Sequence, residues 1–306
     1  MHRFVARRLL QMVPVLLGLT FITFLLTYVV PGDPIDLIAK QEHLTPDARA
    51  ALRRQLDLDV PLPVQYVRYI GRLARGDLGR SFVTNQRVAE AIAHAFPITA
   101  RLGTAAFLLS TLVGVGAGII AGSRPHSWVD RLMTVITLAG ISLPVIWVAP
   151  VAILLFAVTL RIFPPSGYDG WFSLVLPALV LGVRAAFNTR ITRTSLLEVI
   201  GQDYIRTARA KGLDERTVIN RHALRNALIP IITVLGLDLA SYLEGAFFVE
   251  FIFALPGMGR LALDAVAQRD QFMIQGTVLV AAILYVLANL SVDVAYGYVD
   301  PRIRYA

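Results

Sequence analysis

Four stretches of this chain run for 21 to 29 residues without a charged side chain: Leu9–Val30, Leu102–Gly122, Leu132–Leu160 and Gln271–Val292. A helix of about 20 residues crosses a hydrocarbon core roughly 30 Å thick, so each run is long enough to span a membrane. Two weaker runs join them. One opens near Trp171 and meets Arg184 after thirteen uncharged residues, and the other runs from Asn226 to about Val249 with Asp238 and Glu244 inside it. Six spans is the resulting count. With 56% hydrophobic and only 16% charged residues in 306, the chain has too few charges to cover the surface of a soluble domain.

Arg3, Arg7 and Arg8 precede the first run, as they would in a cleavable signal peptide. The run is longer than a signal core and no small-x-small cleavage site follows it, so it is read as a retained span. Arginine and lysine near the span ends set the orientation. With the N-terminus inside, fifteen Lys+Arg fall in residues 1–8, 123–131, 190–225 and the tail, against Arg161, Arg260 and Arg269 in the short outer loops. Both termini are therefore read as cytoplasmic. The expected layout is a first span within 1–30, an insertion over 31–100, and a core over 101–300. The core's spans lie near 102–122, 132–160, 171–192, 226–249 and 271–293, with a cytoplasmic loop at about 198–225 and a tail at 301–306.

The 31–100 stretch is nearly charge-balanced and reads as a small helical insertion on the outer face. PGDP at Pro31–Pro34 is a turn signal. Thr45-Pro46 is an N-cap followed by a first-turn proline, which predicts a helix over about 46–57. A second is expected over about 63–75, with Val64, Tyr66, Val67, Ile70 and Leu73 on its inner side. GDLGRS closes it, and VAEAIAHAF leads into the second span.

Catalytic and metal chemistry find little support. A phosphate-binding loop needs glycines followed by a lysine and a hydroxyl residue, but of the two lysines Lys40 precedes Gln41 and Lys211 precedes Gly212. His2, His43, His94, His126 and His222 are scattered over both sides of the membrane, and the absence of cysteine excludes disulfides and thiolate metal sites. The net charge of +8 has no basic face interleaved with stacking aromatics, so no nucleic-acid partner is expected.

The most informative segment is DYIRTARAKGLDERTVINRHALRNALIP, Asp203–Pro230, which is far richer in charge than a turn between spans needs to be. Its pattern suggests two short helices separated at Gly212, a left-handed cap. Small side chains at Ala208 and Ala210 would let a partner approach, and Arg206, Arg209 and Lys211 would meet acidic or carbonyl groups at its rim. A basic loop lying on anionic lipid fits the residues equally well.

The segment resembles the Glu-Ala-Ala loop of ATP-binding-cassette importer permeases, in the variant of the dipeptide, oligopeptide and nickel permeases. The loop's first three positions fall here on Arg206, Thr207 and Ala208 and its glycine on Gly212; the literal Glu-Ala-Ala is absent. The likeness covers essentially the whole chain. RRLLQMVPVLLGLTFITFLL with VVPGDP, LDLDVPLPVQYVRYIGRLARGDLGRSF, ISLPVIW, FPPSGY, VEFIFALPGMGRL and VDPRIRY follow the family's order. A departure is Glu244, where a small residue is expected before Gly245.

The resemblance implies an all-α inner-membrane protein of bacteria with the six-helix fold of type I importer permeases. It implies a coupling helix carried by Asp203, Tyr204, Arg206, Thr207, Ala208, Ala210, Lys211, Gly212 and Leu213, docking in a groove of an ATPase. The implied partners are a second homologous permease, two cytoplasmic ATPases that hold ATP and Mg, and a periplasmic or lipid-anchored solute-binding protein, with no cofactor in this chain. Peptides lead as cargo, ahead of nickel chelates, glutathione or oligosaccharides.

A carboxylate at bilayer depth is costly and faces a partner or a water-filled path. Asp238 and Glu244 are therefore candidate pore residues; for Asp238, and for Asp293 at the end of the sixth span, packing against Arg184 or Asn188 is the preferred reading, and for Glu244 the pore. Pro144 and Pro150 kink the third span either for gating or only structurally. His222 and Arg221 reach either an ATPase or lipid, and the PGMGR turn, Pro256–Arg260, either a binding protein or only solvent. An ion-coupled secondary transporter would need broken helices bearing its carboxylates and inverted repeats, neither of which is apparent. A membrane scaffold is the remaining class.

Overall fold

The computed structural model of the chain describes residues 2–29, 45–55 and 59–299, so the PGDP turn, Asp57 and the tail 301–306 lie outside the described residues. Among the described residues no strand forms; an isolated bridge joins Arg80 and Arg87. The chain forms two compact units, His2–Ile98 with Pro256–Val286, and Thr99–Leu255 with the residues from Leu287 on.

The first unit contains α1 (His2–Val29), α2 (Pro46–Gln55) and α3 (Leu62–Ala74). Both insertion helices thus form near the expected positions. α3 packs on α1 through aromatic rings: Tyr66 meets Phe21 edge-on at 5.4 Å, Tyr69 stacks on Phe24 at 6.1 Å, and the Tyr66 hydroxyl bonds with Thr20 at 3.1 Å. The face turned inward carries Gln65 and Tyr69, while Val64 and Val67 point outward, which corrects the expected inner side. Aromatic burial exceeds that of two valines, so the tyrosines decide the rotation.

α11 (Met258–Gln268) ends at Arg269 in the left-handed region, and α12 (Gln271–Val299) starts at once. Buried Asp270 organises this corner, accepting hydrogen bonds from the Ser81 hydroxyl and, at 3.3 Å each, from the backbone N–H groups of Phe82 and Met273. In the PGMGR turn Gly257, Met258 and Gly259 are buried and Pro256 is exposed.

The second unit holds most of the apolar helices. α4 (Val88–Ser123), which belongs to this unit from Thr99 on, is one unbroken helix of 36 residues, so VAEAIAHAF and the second span are continuous. α5 (Trp128–Ser142) and α6 (Val145–Ala152, prolonged by a wide turn over Ile153–Thr159) meet at 102°. Leu143 is extended (φ −90°, ψ 117°) because a residue before proline is driven out of the helical region, and Pro144 then starts the next helix. The third apolar run is therefore not one straight helix. α7 (Val175–Leu181) continues through tight turns into α8 (Ala185–Ile200). After α9 (Asp203–Ala210), α10 (Leu224–Ile252) carries Pro230 and the residues up to the next loop.

Among the described residues three helices are long and apolar enough to cross a membrane, Val88–Ser123, Trp171–Ile200 and Gln271–Ser291. Two bent pairs, Trp128–Ser142 with Val145–Thr159 and Glu215–Gly236 with Ser241–Ile252, bring the count to five, and α1 contributes the shorter apolar helix Leu10–Leu25. Leu112, Val135, Trp147 and Leu154 are each more than half exposed, at 74%, 64%, 59% and 62%. Such surfaces call for lipid.

α4 approaches α8 closely because Gly114, Gly118 and Gly122 fall four residues apart on one face. A Cβ at Gly118 would lie 2.5 Å from Thr192 Cβ, and one at Gly114 2.7 Å from the Ala185 carbonyl. Small residues at this spacing are the usual means by which membrane helices pack without a hydrophobic drive between them.

Candidate coupling segment and intramembrane polar cluster

Eight residues are too few to hold a helix in water, so α9 depends on what it packs against. Ile205 and Ala208, one helical step apart, are its buried side chains. They join Leu196 of α8, Val218 and Ala223, and Ala227 and Ile231 of α10 in a single apolar cluster. Full burial of a side chain such as Ile205 contributes about 1.5–3 kcal/mol.

Polar ties fix the rest. Arg209 donates from Nε at 3.0 Å and Nη2 at 2.6 Å to the two oxygens of Glu215, clasping the turn between them, and Asn226 Nδ2 donates to the Tyr204 hydroxyl at 2.8 Å. That clasp holds the Arg209 guanidinium above its ordinary pKa. The helix closes with Gly212 at φ +79°, whose N–H bonds the Arg209 carbonyl at 2.9 Å. A Cβ there would meet nothing within 4 Å, so the position demands the conformation rather than the space. Asp214 caps the next turn, accepting from the Thr217 N–H at 3.1 Å, and hydrogen bonds from Thr217 hold its carboxyl below the ordinary value.

The outer side of α9 carries Asp203, Arg206, Thr207 and Ala210, followed by Lys211, Gly212 and Leu213, all exposed. Arg206 and Asp203 approach to 3.6 Å but are 76% and 97% exposed, too solvated to hold each other firmly. Two expectations are corrected. Ala208 faces inward, so its small side chain lets α9 sit close to its own bundle, and only Ala210 offers a small contact outward. The second short helix is not separate: a turn over Glu215–Thr217 and a wide turn over Val218–Ala223 run directly into α10. In that wide turn Arg221 is exposed and His222 half-buried.

Deeper in the same unit, Arg184 Nη2 donates to Asp238 Oδ1 at 2.9 Å, with the guanidinium 5.6 Å from the centre of the Tyr242 ring. The Tyr242 hydroxyl bonds the Ser110 hydroxyl, which also accepts from Asn188 Nδ2 at 3.2 Å. Asp238 is 5% exposed and sits behind Arg184, so of its two expected places it takes the packing contact with Arg184 and not the pore wall. The side chains of Glu244, on α10, and Asp293, on α12, lie outside the described residues.

A further ion pair escaped the sequence. Arg193 grips both oxygens of buried Asp130, at 2.5 and 2.9 Å, joining the start of α5 to α8. The signal was Ser127, whose hydroxyl accepts from the Asp130 N–H as an N-cap at 3.2 Å, but nothing local announced the arginine 63 residues away. The glycine stripe of α4 could have been read from its spacing. Glu250, completely buried on α10, was also not singled out.

The chain is similar over its whole length to proteins named as peptide transport permeases. It is 41% identical over 314 residues to a putative peptide transport system permease protein of Brucella abortus (strain 2308), with all of both chains covered. It is 40% identical to the di/tripeptide transport system permease protein DppB of Pseudomonas aeruginosa (strain UCBPP-PA14) and 38% identical to the dipeptide transport system permease protein DppB of Escherichia coli (strain K12), covering all of this chain and 99% of each relative. Among solved structures, a chain of the MetNI methionine ABC transporter in an inward-facing conformation matches with a TM-score of 0.56 at 18% identity, over 69% of this chain and 96% of that one. A chain of an amino acid ABC transporter crystallised with histidines gives 0.55 at 13% identity, over 70% and 94%. At these identities the fold is what is shared, and it is that of the type I importer permeases. Residues 1–103 match the N-terminal family of binding-protein-dependent transport system membrane components and residues 114–305 the main family, so the chain belongs to the binding-protein-dependent transport system inner membrane components.

Proposed function

We propose that this permease is one half of the membrane path of an ATP-driven importer for di- or oligopeptides, and that α9 is where it is driven. The observation that carries the reading is the construction of α9. It is held to the bundle by Ile205 and Ala208, by the Arg209–Glu215 clasp and by the Tyr204–Asn226 bond, yet it leaves Arg206, Thr207, Ala210 and Lys211 facing outward. A lever needs this combination, a rigid tie to what it moves and an uncommitted surface toward what pushes it. ATP and Mg are bound and ATP is hydrolysed on two separate ATPase subunits; a second homologous permease completes the path, and a binding protein delivers the solute. Closure of the ATPases on ATP shifts the population of inward- and outward-open states through their differential affinity for nucleotide. The peptide assignment is supported by the names of relatives near 40% identity over the full length.

The test is reconstitution of the whole importer in vesicles with its binding protein. Uptake of a labelled dipeptide that requires ATP and both ATPases is the expected result. Uptake sustained by an ion gradient with no ATPase present contradicts it.

A further inference from the structure

The helix through Trp171–Ile200 has a face that lipid does not suit. Half-buried Arg184 and exposed Phe187, Arg190, Thr194 and Glu198 recur every three or four residues. At 100° per residue they share an arc of about 120°, while buried Asn188, Thr189, Thr192, Ser195 and Leu196 occupy another. Exposed positions elsewhere, such as Leu112 and Val113 of α4 or Val135 and Ile136 of α5, are apolar. Arg184 stands thirteen residues from Trp171 and, with the span ending near residue 192, about eight from its cytoplasmic end, about 20 and 12 Å along the helix, where a charge facing lipid is costly. Its exposed part must meet water or protein.

The pairing has a direction. The Asp238 side chain is 7% exposed and that of Arg184 40%, so the carboxylate stands behind and the guanidinium in front. Tyr242 supports the guanidinium from the same buried side. The bond to Asp238 uses Nη2 and Nε is buried, while 40% of the side chain stays exposed, so part of a planar five-donor fork remains open to a ligand on that side. Such a fork recognises carboxylates. Asp238 cancels its charge when the path is empty and weakens its hold on a passing anion, as a transit site requires if it is to release what it binds.

We propose that Arg184 is a solute-contacting residue of the translocation path, taking the carboxylate of the transported solute, with Asp238 as the positioning residue behind it. The inference rests on the peptide reading, which supplies a carboxylate on every cargo molecule.

The experiment compares a free-acid dipeptide with its C-terminal amide in vesicles holding the complete importer, each solute supplied on saturated binding protein. The variants are Arg184→Gln and the double variant Arg184→Gln/Asp238→Asn, which leaves no uncompensated charge and so keeps the fold. Wild type is expected to move the free acid faster, and both variants to lose about ten-fold of that preference, the scale of one charged hydrogen bond, with ATP hydrolysis within about two-fold. Equal slowing of both solutes, or wild-type preference in the double variant, overturns the inference, since Arg184 would then only neutralise Asp238. A wild type that moves both solutes at one rate overturns it and leaves the cargo reading standing; a wild type that moves neither removes both.

Discussion

Gly212 sits in the left-handed region with open space around it, so Gly212→Ala tests conformation alone. Its strain of roughly 1–2 kcal/mol should loosen the end of α9 and lower ATP-coupled uptake while the amount of inserted protein is unchanged. Ala208→Leu should act differently. Overpacking the buried cluster, at about 1–3 kcal/mol, should lower the thermal midpoint of the purified permease. Asp214 predicts a pH response. Its folded pKa lies below the ordinary 3.8, so its cap contributes fully above that value and is lost only as pH falls through the lower folded one. Amide exchange at Thr217, corrected for intrinsic rate, should therefore stay protected from pH 8 down to the ordinary 3.8 and open only below it, and in Asp214→Asn that acid opening should vanish. Gly212 was legible in the sequence because turn chemistry is local. The inward turn of Ala208 was not, since it depends on how α8 and α10 flank α9.

Among the elements, the break at Pro144 followed from a rule about the residue before proline, although nothing local shows that the bend reaches 102°. The rotation of α3 was misread because hydropathy ranks valine above tyrosine, while ring area decides what packs against α1. Long-range ties were the least visible. Asp130→Ala leaves Arg193 without its buried counter-charge and should cost about 3–5 kcal/mol, read as a lower thermal midpoint of the assembled complex; a Lys in place of Arg193 should cost less but lose the two-pronged grip. Gly118→Leu should separate α4 from α8 and reduce the yield of assembled complex, whereas the same change at Gly116, which faces open space, should not.

At the scale of the molecule, an unbroken apolar run predicts a membrane helix well, and the runs announced the class, while the strings between them carried the resemblance to the family. What they could not announce is which charges at depth are structural. For Asp238 the sequence offered both the pore and a packing contact with Arg184 or Asn188, and only folding, which brings Arg184 to it from 54 residues away, decides between them. The proposed function accordingly rests on two places on this chain, the guanidinium of Arg184 within the span and a short helix that the distribution of arginines puts on the cytoplasmic side. The central claim concerns that helix, and the chain's lack of cysteine offers a direct measurement. Ala210→Cys places a single thiol on the outward face of α9, and its rate of modification by a membrane-impermeant maleimide can be followed in inside-out vesicles with and without the ATPase subunits. Rapid labelling of the permease alone and strong protection when the ATPases are bound is the predicted result. An equal rate in both would mean that α9 is not where the motor docks.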